Sequence, residues 1–179
     1  MKKQNLTTRQ LAWLAICIAL SLVSKRLIAP ITNVLTDLIR IPGGGAATAF
    51  SLMFLILGCS GVEWRFAGTF SALTQGILAL ILGMSGYQGA LILVSYTVPG
   101  MVMDLVRRLL PAEHPLYYPV VCTLTNISSA LLSNLLVFRL YGIAFLLWLL
   151  VAAWCGILAG CLGRELHKRI RIGIMRGAV

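Results

Sequence analysis

Ten polar side chains stand within or beside long apolar segments of this chain, and their types suit binding more than bond-breaking. These residues are Asn33, Asp37, Arg40, Gln75, Ser85, Tyr87, Gln88, Asn126, Asn134 and Arg139. A small-molecule site typically has apolar walls and a few convergent amide, hydroxyl or charged groups that fix the orientation of the ligand. The sequence therefore predicts a substrate-binding site, with no catalytic residue, metal ligand or cofactor assigned to it.

Two of these residues, Gln75 and Asn126, fall inside apolar segments, where a polar side chain is costly to bury. We expect both to line a pocket. The serines that accompany Asn126 are more typical of hydrogen bonds between helices or back to a carbonyl one turn earlier. Asp104 precedes Arg107 and Arg108 by three and four residues, which favours an ion pair on one helix. Asp104 is also the single acid predicted within a span, so the sequence offers no set of buried acids for proton coupling.

The composition places these residues in a membrane protein. Of 179 residues, 59% are hydrophobic and 11% are charged, and the mean hydropathy is +0.93. Soluble domains are about half apolar and a quarter charged. The net charge of +10 comes from basic residues at segment ends, which is typical of membrane topology and not of nucleic-acid binding. The five cysteines form no Cys-x-x-Cys pair, so we expect them to act as small hydrophobic residues.

The apolar segments predict an all-α integral membrane protein with six transmembrane helices in a single domain, residues 1–179. The spans are predicted at about 10–28, 46–59, 66–83, 90–110, 120–138 and 141–162, followed by a basic cytoplasmic tail, 163–179. Residues 29–45 contain Pro30, Pro42 and three glycines, so they are expected to form a long outer loop that acts as a lid.

Six spans place both termini on one side of the membrane. That side would hold eleven of the 15 basic residues, and the other side would hold Lys25, Arg26, Arg40 and Arg139. The asymmetry predicts cytoplasmic termini. On the outer side these four cations outnumber Asp37, which mildly favours an anionic or electron-rich ligand. Alternatively, Lys25, Arg26 and Arg139 only anchor helix ends at the lipid headgroups.

Ala12, Ala15 and Ala19 recur at spacings of three and four in the first apolar segment, so they share one helix face. Small residues let helices approach closely in lipid. The face either packs inside this chain or docks on a separate membrane protein.

Taken together, the chain resembles a substrate-binding S component of an energy-coupling factor (ECF) vitamin transporter. The resemblance is carried by Ala15-x-x-x-Ala19, by the long segment that follows the first helix, and by the short second span that opens with Ile-Pro-Gly-Gly-Gly at 41–45.

The resemblance implies a six-helix S-component fold in the plasma membrane of a bacterium. It implies that the protein captures a vitamin-like molecule outside the cell for ATP-driven uptake. The partners would be a transmembrane T component, docked on the alanine face, and two ATPase subunits. The chain itself would not be an enzyme.

Two alternatives remain open. One is an autonomous small secondary carrier or a channel. The other is a rhomboid-like intramembrane serine protease, because Gly83-Met84-Ser85-Gly86 matches G-x-S-G. A serine nucleophile needs a base within hydrogen-bond reach. Neither His114 nor His167 lies in the sixth span, so the sequence does not supply that base.

Overall fold

The computed structural model describes residues 7–37, 44–62, 64–84, 86–111 and 114–176, with side chains described for 7–34, 45–62, 64–84, 89–111 and 114–170. This part of the chain contains six α-helices and no strand, which confirms the all-α class. The helices are α1 (Thr8–Asp37), α2 (Gly44–Ser60), α3 (Ala67–Ile81), α4 (Ile92–Leu109), α5 (Tyr117–Ser133) and α6 (Ile143–Arg176). A 3-10 helix, Gly86–Leu91, precedes α4, and a π-helical turn, Asn134–Phe138, follows α5.

Four stretches of helix are long and apolar enough to cross a membrane: Thr8–Val34, Gly89–Leu109, Tyr117–Phe138 and Ile143–Ile170. Their outward faces carry large apolar side chains such as Ile16, Leu105 and Leu158, which are 55%, 57% and 57% exposed. The protein is therefore a multi-pass membrane protein. Helices α2 and α3 are equally apolar, but their 17 and 15 residues are shorter than the roughly 20 that a full span needs. Six crossings remain a prediction.

The predicted loop at 29–45 is wrong for its first part, because α1 continues without interruption to Asp37. Pro30 lies inside this helix. A proline lacks the N–H that would bond the preceding turn, which costs one backbone hydrogen bond. Directly after it, the Thr32 hydroxyl donates to the carbonyls of Ile28 and Ala29, both at 3.1 Å. Residues 38–43, the centre of the proposed lid, lie outside the described residues.

Ala12, Ala15 and Ala19 all lie on the exposed face of α1. The opposite face of α1 is buried through Leu14, Cys17, Ile18, Ser21 and Leu22. The interpretation that the alanines pack inside this chain is therefore wrong, and their face remains open to lipid or to another protein.

Close helix contacts depend on glycines. At Gly100 of α4, a Cβ atom would lie 2.5 Å from the Cβ of Ala72 on α3. At Gly160 of α6, it would lie 2.5 Å from the Cα of Pro119 on α5. The backbones of these two helix pairs are thus as close as they can be, which is the packing expected of small residues in membrane helices.

Asp104 and Arg107 form the predicted ion pair on α4, with Oδ1 and Nη1 3.3 Å apart.

The cysteines carry no disulfide among themselves. Cys17, Cys59 and Cys122 are buried, Cys155 is half-buried and Cys161 is exposed. The Cys122 thiol points to the carbonyl of Ala49 at 3.7 Å. The first three therefore fill the core as small side chains, as predicted.

Candidate functional site: a polar cavity inside the helix bundle

A cavity of about 280 Å³ lies inside the bundle, and every helix contributes to its walls. It is bounded by the middle and later parts of α1, α3 and α5 and by the earlier parts of α2, α4 and α6, so it sits towards one end of the bundle. Half of its lining residues have polar side-chain atoms: Lys25, Thr48, Ser51, Gln75, Ser95, Tyr96, Asn126, Ser129, Ser133 and Trp148. Apolar residues complete the walls, among them Leu52, Leu55, Ile92, Val137 and Phe138.

Gln75 is 1% exposed and joins α3 to two other helices at the cavity wall. Its amide nitrogen donates to the hydroxyls of Ser21 on α1, at 2.8 Å, and Ser51 on α2, at 2.9 Å. The Ser21 hydroxyl in turn donates to the Ser51 carbonyl at 2.7 Å. An amide nitrogen has two hydrogens, and both are used here. The donors of Gln75 therefore hold the wall together and are not available to a ligand.

Asn126 is also 1% exposed, but it is only half satisfied. Its amide nitrogen donates to the carbonyls of Ala152 at 2.7 Å and Gly45 at 3.2 Å. These two acceptors fix the orientation of the amide, because a flipped side chain would set its oxygen against two carbonyl oxygens. The oxygen Oδ1 has no hydrogen-bond partner in the described part of the protein. It is a buried, oriented acceptor on a residue that lines the cavity.

Two further residues that line the same cavity hold a buried polar atom with no partner among the described residues. They are the hydroxyl oxygen of Ser95 and the indole nitrogen of Trp148, in residues that are 7% and 2% exposed. The indole N–H can only donate, and the hydroxyl can donate or accept. The Trp148 ring packs edge-on against Phe138, with centroids 5.4 Å apart, which fixes an aromatic wall. These two atoms and Asn126 Oδ1 are thus an acceptor, a donor and a hydroxyl, each buried in a residue that lines the cavity.

Lys25 and Tyr96 form a pair at the cavity wall. The lysine ammonium donates to the tyrosine hydroxyl at 2.6 Å and lies 4.3 Å from the centre of the ring. Lys25 is half-buried, whereas the adjacent Arg26 is exposed. The cation is thus held towards the bundle by an aromatic partner and is not directed away from it.

Of the ten predicted binding residues, the structure brings Gln75 and Asn126 to the cavity. Asn33 is exposed on α1 and lies outside the cavity lining. Asn134 accepts from the Leu140 N–H at 2.7 Å and donates to its carbonyl at 3.2 Å. These two hydrogen bonds stabilise the left-handed backbone conformation of the exposed residue Arg139, whose φ is 48°. The side chains of Asp37, Tyr87 and Gln88, and all of Arg40 and Ser85, lie outside what the structure describes.

Several lining residues were not predicted. Ser95 and Tyr96 come just before the Pro99-Gly100 interruption of the fourth apolar segment, and Ser129 and Ser133 belong to the serine series that we assigned to helix contacts. Only Ser128 of that series makes the expected bond, to the Thr125 carbonyl at 2.7 Å. A serine spacing of four, which keeps 129 and 133 on one face, was the available signal.

His167, one possible base for a serine nucleophile, lies at the other end of α2 from Gly45. Its ring nitrogen Nδ1 is 3.5 Å from the hydroxyl of Ser60, and its ring packs against Tyr118 at 5.4 Å. This cluster connects α2, α5 and α6 away from the cavity.

Comparison of the chain with protein-family models, with curated proteins and with solved structures finds no match.

Proposed function

We propose that this protein is a membrane-embedded binding subunit, which captures a small water-soluble molecule of vitamin type in the cavity for uptake by an ECF-like transporter. One observation supports this most directly. Half of the residues that line one cavity bear polar side-chain atoms, and three of them, Ser95, Asn126 and Trp148, hold a buried polar atom with no hydrogen-bond partner in the described part of the protein.

A buried donor or acceptor that lacks a partner costs about 1–3 kcal/mol. Three such atoms on residues that line one cavity are therefore expensive unless something polar meets them. A ligand that bears both a donor and an acceptor would satisfy the indole N–H and the Asn126 oxygen if these buried atoms turn towards the cavity on binding. The cavity volume of about 280 Å³ is close to the lower limit of the roughly 300–1,000 Å³ usual for ligand sites, which suits a small molecule.

The wider assignment rests on the arrangement of the helices. In this proposal α2 and α3 also cross the membrane, with the bilayer thinned around them or with flanking side chains reaching the headgroups. The six crossings then leave both termini in the cytoplasm of a bacterial cell and direct the cavity end outward. The exposed face of Ala12, Ala15 and Ala19 is the docking surface for the transmembrane T component, which in turn binds two ATPase subunits.

The experiment is reconstitution of the purified chain in liposomes. Small molecules retained by the protein are identified by mass spectrometry and then offered from outside the vesicles. We expect saturable binding in the nanomolar to micromolar range, about −12 to −8 kcal/mol, without accumulation. Accumulation should begin only when T and ATPase subunits are present with ATP. Concentrative uptake by the chain alone under an ion gradient would instead indicate an autonomous carrier. Cleavage of the offered molecule would indicate an enzyme.

A further inference from the structure

Lys25 is the only charged side chain among the described residues that line the cavity. Its ammonium has three hydrogens, and one of them is used, by the hydroxyl of Tyr96 at 2.6 Å. The Tyr96 hydroxyl accepts that bond and keeps its own hydrogen, for which no acceptor is found among the described residues. Two ammonium hydrogens and one phenol hydrogen therefore remain available on a single pair of residues at the cavity wall.

No carboxylate neutralises Lys25 in the described part of the protein. Asp104 lies eight residues beyond Tyr96 on α4, about 12 Å along the helix, and it is bound to Gly68, Thr69 and Arg107. Glu165 pairs with Lys168, far along α6. The backbone of Asp37 is twelve residues beyond Lys25, about 18 Å further along α1. A half-buried cation with an aromatic neighbour and no acid beside it among the described side chains is unusual in a membrane helix, where charges are expected to pair.

Headgroup anchoring does not explain this arrangement. A lysine that anchors a helix directs its ammonium to the aqueous interface. The ammonium of Lys25 instead contacts Tyr96, which belongs to α4 and lines the cavity. The neighbouring Arg26 is exposed, so at this point of α1 it is Arg26 that is placed to contact the lipid headgroups.

We propose that Lys25 and Tyr96 form an anion-recognition pair, so that the molecule bound in the cavity carries a carboxylate or phosphate group. This inference rests on the proposed function, since it assigns a ligand class to the same cavity. The acid oxygens accept hydrogen bonds from the ammonium and the phenol. The rest of the ligand meets the uncharged walls of the cavity, to which Ser95, Asn126 and Trp148 belong. A cationic ligand would face Lys25 with no compensating carboxylate and is rejected.

Three matched probes test this: benzoate, benzamide and benzamidinium, which are similar in size and planarity but are anionic, neutral and cationic. Equilibrium dialysis against the full chain in phosphatidylcholine nanodiscs should give the affinity order benzoate, benzamide, benzamidinium. Lys25→Met should lower the benzoate affinity about tenfold or more, because hydrogen bonds to charged groups are the strong ones. It should lower benzamide affinity much less, because a neutral carbonyl accepts a weaker hydrogen bond than a carboxylate does, and an unchanged helical circular dichroism spectrum shows that the variant is folded. Arg26→Met, the control for charge at this level, should leave both unchanged.

The outcomes separate the two proposals. If benzamide binds as tightly as benzoate, or if Lys25→Met and Arg26→Met behave alike, the cavity remains a binding site but the anion assignment is wrong. If none of the three probes binds, the anion assignment is wrong, and the identification of a retained molecule by mass spectrometry decides separately whether the cavity is a binding site. A lipid phosphate is a second source of the same chemistry. Competition of phosphatidylglycerol with benzoate in mixed nanodiscs would show that Lys25 binds a headgroup and would overturn the assignment to a soluble ligand.

Discussion

Asp104 and Arg107, one turn apart on α4, each hold a different end of the connection between α2 and α3. The Asp104 carboxylate accepts from the backbone N–H groups of Gly68, at 2.8 Å, and Thr69, at 2.7 Å, which open α3. The Arg107 guanidinium donates to the carbonyls of Cys59, at 2.7 Å, and Val62, at 3.2 Å, where α2 ends. Acids suit helix N-termini and bases suit C-termini, because of the helix dipole. The pair therefore ties the end of α2 and the start of α3 to α4.

Asp104→Ala should destabilise the protein strongly. It leaves Arg107 without its carboxylate and removes the acceptor of two helix-opening N–H groups. Breaking a buried ion pair from one side costs about 3–5 kcal/mol. The measurement is the thermal unfolding midpoint in mild detergent, with loss of helical circular dichroism as the readout.

The matched control is the other described ion pair, Glu165 with Lys168, in which the side chains are 62% and 50% exposed. Glu165→Ala should change the midpoint little, since exposed pairs contribute little. Equal effects of the two substitutions would show that Asp104 is not a structural clamp.

Gly160→Ala should force α5 and α6 apart. The added methyl group would meet the backbone of Pro119 at 2.5 Å, and overpacking of this kind costs about 1–3 kcal/mol. Gly163→Ala, three residues along the same helix, is the control. There the new methyl group meets the flexible side chain of Met53 at 2.9 Å, which is able to move. We expect a lower unfolding midpoint only for Gly160→Ala, and a similar loss in both variants would count against the close contact between α5 and α6.

Ala15→Trp with Ala19→Trp should leave ligand binding by the isolated chain intact and abolish uptake with the T and ATPase subunits. The reason is steric, since indole rings on this exposed face prevent close approach of another helix. Leu158→Trp, at an exposed position on α6, controls for a bulky ring facing lipid. Normal assembly and uptake by the alanine variant, measured by co-purification and transport, would exclude this face as the docking surface.

The sequence predicted those features whose alternatives would cost much free energy. Apolar segments longer than a soluble helix needs predicted the helices, and the expense of a buried amide identified Gln75 and Asn126 as cavity residues. The Asp104–Arg107 pair followed from helical spacing.

Other features depend on tertiary contacts that spacing does not encode. Pro30 suggested that the first helix ends, yet one lost hydrogen bond did not stop α1 from reaching Asp37. The alanine pattern defined a face but not the direction in which it points, because α2 packs on the other side. Trp148 resembled any apolar residue until its indole N–H was found buried without a partner. Lys25 was one of several helix-end cations, and only its contact with Tyr96 distinguishes it.

The most direct test of the central claim is to ask whether blocking the cavity removes a bound small molecule. Ser129→Phe places a ring in the cavity lining, whereas Ser128→Phe, the adjacent control, lies outside it. Wild-type protein and both variants are purified from membranes in mild detergent, and the molecules released on denaturation are quantified by mass spectrometry. We predict one water-soluble compound in near-stoichiometric amount with the wild type and with Ser128→Phe, and its loss from Ser129→Phe. Retention of the same compound by Ser129→Phe, or no bound compound in wild-type protein, would contradict the claim that this cavity is a binding site.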